Sequence, residues 1–581
     1  MRFAIKRGML VGNIAVGTVV FGALVATSSG CTGIISDPEN DNLGGMGGSG
    51  DTSSSGNSSS GNSSSGGNSS SSGGNSSSSG SMSPMCGNSV VEANETCDPP
   101  ASCPANCNDN NGCTMDMEMG SAATCDIACT HTPITACGNG DGCCPMGCTY
   151  ANDNDCDPPQ TTPLDQRLVT VDVTVPAGVM AGDGNWRIWG LESLGVAPVY
   201  TVPYADCGTL VGYTTGSTSM PRARVARLDA NDQLVTTYDL GAFVMRGLAT
   251  EGEGHWGALL WDYKGANSAM NQMIVRRYDK TGNQMFSTGL DNSNVGPTDF
   301  GIGESRLEFG NGKYGAYYHV HGTNPGYFAY GHEGDQLINV DAASGTAATA
   351  WDWGCSHSMS ELLRFSPAAG MTLPVCVTDC YPGTSGGNFS TDSIGGIYLN
   401  HSDKKVRDFD AGCNGSVAAE LGSAAPGVAG WKLVFNGHQN AATMGQSSYN
   451  KSTMNQDIGF VGIANDKSVG AIVWLTNTTG MNEANSSIAR WQPAGDTAEQ
   501  YVVGWTSAPT GGTYSLGRLN ATGGFMEGPL TITTAKWGRR DDPFRVHLNG
   551  DVVWAWFDSA GATTMKFARL KSGGTATCMT L

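Results

Sequence analysis

The 581-residue chain is short of charge, and shortest of positive charge: charged residues make up 14% of it, with 31 Lys and Arg against 52 Asp and Glu. A formal charge of -21 with no clustered Lys and Arg excludes a nucleic-acid partner, because phosphate binding draws its affinity from counterions released by basic side chains. Long amphipathic stretches are missing as well, and Gly supplies 83 residues. That composition disfavours helical bundles and suits turn-rich β structure or disorder. Histidine is scarce too. Of nine in the chain, three fall within the fourteen positions from His319 through His321 to His332, in YYHVHGTNPGYFAYGHEGD.

The N-terminus has a basic start (Arg2, Lys6, Arg7), an apolar run from Met9 to Ala26 and small residues leading to Cys31, which is the layout of a secretory signal. Residues 1–31 resemble a bacterial lipoprotein signal, although Ser28 stands where that pattern has Leu. The resemblance implies lipidation of Cys31 and attachment to a membrane on the extracellular side of a bacterial cell envelope; without lipidation the chain is secreted. Residues 32–84 are a Gly/Ser/Asn-rich linker with too little apolar area to fold. About forty such residues reach on the order of 35 Å, enough to hold a domain clear of a surface.

Twelve of the nineteen cysteines lie between Cys86 and Cys156, an even number in an exported, loop-rich stretch, so a disulfide-rich module is expected over residues 85–158. The C-x3-C spacings of Cys103 with Cys107 and of Cys125 with Cys129 also suit zinc, but the oxidising compartment favours disulfides. The segment opening CGNSVVEANETCD resembles the cysteine-rich repeats of myxobacterial surface proteins at Cys86, Gly87, Asn88, Glu95, Cys97 and Asp98, with Ser89 in place of Gly. That likeness implies a module and no activity. Asp153, Asp155 and Asp157 alternate as calcium ligands can, and as ordinary turn residues do; the turn reading is preferred.

Residues 160–581 alternate Val, Leu, Trp and Tyr with Gly, Asn and Asp, which predicts an all-β domain. An apolar strand opening Gly-Ala recurs at Gly257, Gly315 and Gly470, with a relative at Val552. Hairpin-like segments with a polar start and Asx-Gly punctuation recur at Arg227, Arg277, Asn339, Arg490, Arg518 and Arg569. Units of roughly fifty to sixty residues are those of propeller blades, and about seven fit the domain; a pair of β-sandwiches is the alternative. The strand at Arg167 is expected to close the ring against the strands near Met565. GAYYHV is expected to be the inner strand of its blade, with His319 where GALLW and GAIVW carry Trp261 and Trp474.

Six histidines lie between His319 and His438, together with Cys355, Cys376, Cys380 and Cys413. Three disulfides among Cys207, Cys355, Cys376, Cys380, Cys413 and Cys578 are one expectation; a zinc site using Cys355, His357, His401 and Cys413 is the other. Ser385 in YPGTSGG has the context of a serine nucleophile but no matching histidine motif. The region from GNGKYGAYYHVHG to WGRRDDPFRVH is similar to propeller polysaccharide lyases of the ulvan lyase kind. That resemblance implies β-elimination on an acidic, uronate-containing polysaccharide, with His321, His332 and Tyr381 catalytic, a structural zinc held by His and Cys, and an arginine against the uronate. His319, Arg539 and Arg540 are the candidate substrate-binding residues. Tyr317, Tyr318, Tyr327, Phe328 and Tyr330 are candidate stacking platforms for sugar rings, and are also ordinary strand residues. A non-catalytic propeller binding a surface glycan or protein is the competing expectation.

Overall fold

The computed structural model describes residues 85–581 except 105, 110, 150–151, 154, 157–161, 183–194, 265–271, 291–294, 298–303, 323–332, 355–359, 379–395, 400–404, 409–418, 440–454, 509–510, 539–541 and 580–581. Cys31, the signal and the linker therefore lie outside the described residues.

The cysteine module contains one hairpin, β1 (Thr114–Met119) paired with β2 (Ala128–Pro133). Its apolar cluster consists of cysteines, Ile127 and Ala122, too little to hold a fold unaided. All twelve cysteines are paired, as 86–125, 97–103, 107–129, 113–143, 137–148 and 144–156. These cross-links, with Cys207–Cys578 in the propeller, are those of an extracellular or otherwise oxidising environment.

After β3 (Leu168–Thr174) come seven antiparallel sheets, the blades of a propeller. Blade 1 contains β4 (Tyr200–Pro203), β5 (Thr209–Ser217), β6 (Met220–Leu228) and β7 (Leu234–Gly241). Blade 2 contains β8 (Val244–Thr250), β9 (Trp256–Asp262), β10 (Gln272–Tyr278) and β11 (Gln284–Gly289). Blade 3 has five strands, β12 (Val295–Pro297), β13 (Ser305–Gly310), β14 (Lys313–Gly322), β15 (Glu333–Asp341) and β16 (Ala347–Gly354), with β12 and β13 both on β14. Blade 4 is β17 (Glu361–Ser366), β18 (Met371–Thr378), β19 (Gly396–Leu399) and β20 (Lys405–Asp408). Blade 5 is β21 (Ala419–Gly427), β22 (Gly430–Gly437), β23 (Asp457–Ile463) and β24 (Val473–Trp474). Blade 6 is β25 (Ala484–Arg490), β26 (Gln500–Thr506), β27 (Tyr514–Asn520) and β28 (Phe525–Ile532). Blade 7 is β29 (Arg545–Val546), β30 (Val552–Trp556) and β31 (Thr564–Leu570), completed by β3.

The ring closes as the strand pattern predicts: β3 lies antiparallel on β31, with Val173 opposite Met565. The first strands β4, β8, β13, β17, β21, β25 and β29 touch in succession round the axis. Neighbouring blades bury seven apolar clusters between their faces, the arrangement that a sheet apolar on both faces requires.

The recurring hairpins join third and fourth strands in blades 1, 2, 3 and 6. Each is held by an Asx side chain that accepts backbone N–H groups two to four residues on: Asp229, Asp279, Asp341 and Asn520, the mechanism that makes Asx a turn residue. The arginines that open several of them clamp carboxylates. Arg227 meets Asp206 at 2.5 Å, and Arg277 forks onto Glu251 at 2.7 and 2.8 Å.

Three details differ from the sequence expectation. GALLW and GAYYHV form β9 and β14, which are second strands and not inner ones, so the axis is lined by other residues. GAIVW leads into β24, the outer strand of blade 5, because Gly470 bonds back onto Gly462 and only Val473 and Trp474 pair. Trp474 is thus no counterpart of His319. The segment at Arg569 ends the last strand, whereas that at Arg490 turns from β25 to β26 inside blade 6, as its short distance from Arg518 requires.

Candidate functional site

The first strands carry charge where they face the axis. Arg364 of β17 donates to Ala424 O at 2.8 Å, to Glu308 of β13 at 3.3 Å and to Asp542. Arg545 of β29 donates to Asp542 at 3.0 Å and to Glu308 at 3.2 Å. The resulting four-membered ion ring ties blades 3, 4 and 7 together across the axis. Burial raises the Glu308 carboxyl, a shift that Arg364 opposes.

A second polar group lies where β13, β15 and β17 begin and β14 and β18 end. His319 sits near the end of β14, Tyr317 two residues before it on the same face, and Glu361 opens β17 of the next blade. The His319 side chain is fully buried, with Nδ1 3.4 Å from Glu361 Oε1. Glu361 Oε2 accepts from the Glu304 backbone N–H at 3.2 Å. Tyr317 donates to Asp335 of β15, and Tyr318, on the other face, to Gln336 Oε1 at 2.6 Å. Arg306 closes the group by donating to Glu304 at 3.0 Å.

Burial sets the electrostatics of this cluster. It pushes the Tyr317 hydroxyl well above its usual range, with the charges of Asp335 and Glu361 adding to it. Burial also raises the Glu361 carboxyl, and His319 counteracts it. An imidazole, two carboxyls and a phenol removed from water in one patch form a proton-holding arrangement, since each group's charge state depends on its neighbours.

Of the residues singled out by sequence, the structure brings His319 together with Glu361. His321 lies two positions further along β14, its backbone opposite Gly296 of β12 and Glu333 of β15. His332 lies between β14 and β15, Cys355 and His357 between β16 and β17, and Tyr381 between β18 and β19. His401 lies between β19 and β20, Cys413 between β20 and β21, and Arg539 and Arg540 between β28 and β29. All eight are outside the described residues. Tyr317 and Tyr318 are strand residues and not stacking platforms, since both are buried and point into the interfaces between blades; Tyr327, Phe328 and Tyr330 lie outside the described residues. Cys207 pairs with Cys578 across 371 residues, and Cys376 is also disulfide-bonded, which accords with the disulfide expectation for three of the six cysteines; Cys355, Cys380 and Cys413 lie outside the described residues.

Sequence reasoning missed Glu361, Glu304 and Asp335. A signal existed in ELLRF, where Glu361 and Arg364 interrupt the apolar residues of an inner strand, and a buried carboxyl must find a partner.

No family model matches the chain, and no curated protein matches it. Among solved structures, Trypanosoma rangeli sialidase aligns at 10% identity over 60% of this chain and 58% of its own, with a TM-score of 0.31. Its complex with sialic acid aligns over the same shares at a TM-score of 0.32. Polysaccharide lyase Uly1 aligns at 10% identity over 69% of this chain and 99% of its own, with a TM-score of 0.38. This chain is therefore distantly similar to propellers of glycan-processing enzymes. At those values the alignments assign it neither a residue nor an activity.

Proposed function

We propose that the propeller cleaves an acidic, uronate-containing extracellular polysaccharide by β-elimination at the edge of blades 3 and 4, held at the cell surface through lipidated Cys31. The observation that carries this reading is the buried cluster of His319, Glu361, Tyr317 and Asp335 beneath the strand ends that lead to His321, His332 and Tyr381. Elimination removes a proton from the carbon beside the carboxylate and delivers one to the departing glycosidic oxygen. In this reading His321 and His332 supply the base and Tyr381 the acid, while His319 with Glu361 fixes the end of β14. The uronate charge falls to Arg539 and Arg540, because Arg306 and Arg364 are already committed to Glu304, Glu308 and Asp542. Cys355, His357, His401 and Cys413 are the proposed donors for a structural zinc, and no step of the elimination runs through that ion.

A non-catalytic module binding a surface glycan or protein is the second reading, favoured by the complete burial of His319. Ultraviolet absorbance during incubation with a panel of acidic polysaccharides separates the two, since elimination leaves an absorbing unsaturated sugar. A rise that His321→Ala abolishes supports the lyase. No rise on any substrate, with retention of the protein on one of them, establishes the binding module.

A further inference from the structure

Apart from His131, which pairs with Asp109 and Asp116, the cysteine module has no basic side chain to answer its carboxylates. Between residues 85 and 156 the chain has ten Asp and Glu and no Lys or Arg. Asp141, Asp153 and Asp155 each offer an oxygen to one point, and the three oxygens lie within 4.8 Å of one another. Disulfides 113–143, 137–148 and 144–156 hold the two segments that carry them.

Backbone amides orient all three carboxylates. Asp155 Oδ2 accepts from Gly140 at 2.6 Å and from Asp141 at 3.0 Å, Asp141 Oδ1 from Cys143 at 3.0 Å, and Asp153 Oδ1 from Asp155 at 3.0 Å. Gly140 and Gly142, at φ +77° and +76°, let the first segment curl round Asp141. Asp153 is 0% exposed, and its Oδ2 has no hydrogen-bond partner. A carboxyl taken out of water in this way either takes up a proton or stays ionised against a positive charge, and two further carboxylates beside it favour a cation.

We propose that Asp141, Asp153 and Asp155 bind a calcium ion. The donors are all oxygen, since Cys143, Cys144 and Cys156 beside them are in disulfides, which excludes thiolate-seeking metals. Calcium accepts the irregular geometry of three carboxylates completed by carbonyls and water, whereas magnesium demands a near-ideal octahedron and parts reluctantly with water. Extracellular modules of this kind bind calcium with dissociation constants on the order of 0.1 to 1 mM. The ion would lock the end of the module that leads into the propeller.

The test is calorimetric titration of calcium chloride into the full-length protein after stripping with chelator. One saturable site is expected, at least tenfold weaker in Asp141→Asn, whose exposed side chain can lose its charge without disturbing a core. Asp109→Asn, in the separate group of Asp109, Asp116 and His131, should leave the isotherm unchanged. No saturable binding up to about 10 mM, well above the expected range, overturns the proposal. So does an Asp141→Asn isotherm matching that of the unaltered protein, which would place any calcium elsewhere.

Discussion

The junction between blades 7 and 1 and the junction between blades 3 and 4 are built from different materials. At the first, fourteen buried side chains, almost all aliphatic or aromatic, pack between the sheets; at the second, the described cluster has five, among them two tyrosines and a cysteine. The first junction is also fastened three further ways. β3 completes the last blade, Cys207–Cys578 links the two ends, and Arg569 of β31 forks onto Asp232 of blade 1 at 2.6 and 2.9 Å. The second spends its space on His319, Glu361, Tyr317 and Asp335. A ring needs one strongly fastened seam where its termini meet, and elsewhere it tolerates polar groups that cost stability, which is where sites are found.

The comparison is broken most severely at the seam. Replacing both Cys207 and Cys578 by Ser frees a loop of 371 residues and should cost up to about 5 kcal/mol in chemical denaturation. Arg569→Met comes next. It strands Asp232 and Asp551, both buried and both bonded to that guanidinium, and should cost about 3–5 kcal/mol on the same measurement.

Acidity sharpens the contrast, because the two sides respond with opposite sign. His547 near the seam is buried against Thr209 at 2.9 Å, and burial, with Arg569 adding to it, holds its imidazole well below the usual value. The unfolded chain then binds the extra proton, so stability present above about pH 6.5 is lost as pH falls below it. At the polar junction burial raises Glu361, and away from both junctions, between blades 5 and 6, it raises Glu483 from 4.5 to about 7. Here the folded chain holds the proton. Stability is full below about pH 4.5 and is lost as pH rises towards about 7, by on the order of 2 kcal/mol for Glu483. Glu483→Gln should remove that slope, and hydrogen exchange resolved by blade should show acid loosening blades 7 and 1 and alkali loosening blades 5 and 6. The smallest effect belongs to the hairpins: Asp279→Ala removes the acceptor for two backbone amides and should cost about 1 kcal/mol.

Much of this architecture was legible in the residues. Even counts of cysteine gave away the module, the Asx punctuation marked four of the blade hairpins, and RLVTVDVTV was recognisable as the strand that closes the ring. A short apolar run does not distinguish a second strand from an outer one; GAIVW and GALLW both lack a polar residue, so the two resembled each other although GAIVW only leads into β24. The candidate site was legible in part. His319 stood out by rarity, whereas Glu361 lies 42 positions further on, and only the curl of one blade against the next brings it to 3.4 Å. Asp153 was hidden differently: in NDND it reads as a turn, and burial cannot be seen in a turn's composition.

In the reading proposed above, the polar junction serves chemistry at the expense of stability. Glu361→Gln, assayed for both unsaturated product and thermal midpoint, tests this most directly. A product rate at least about 100-fold lower is expected, the range of a displaced proton-transfer group, with a midpoint unchanged or raised because a buried titratable carboxyl is gone. A variant that loses several degrees of stability yet keeps its rate per folded molecule would contradict it.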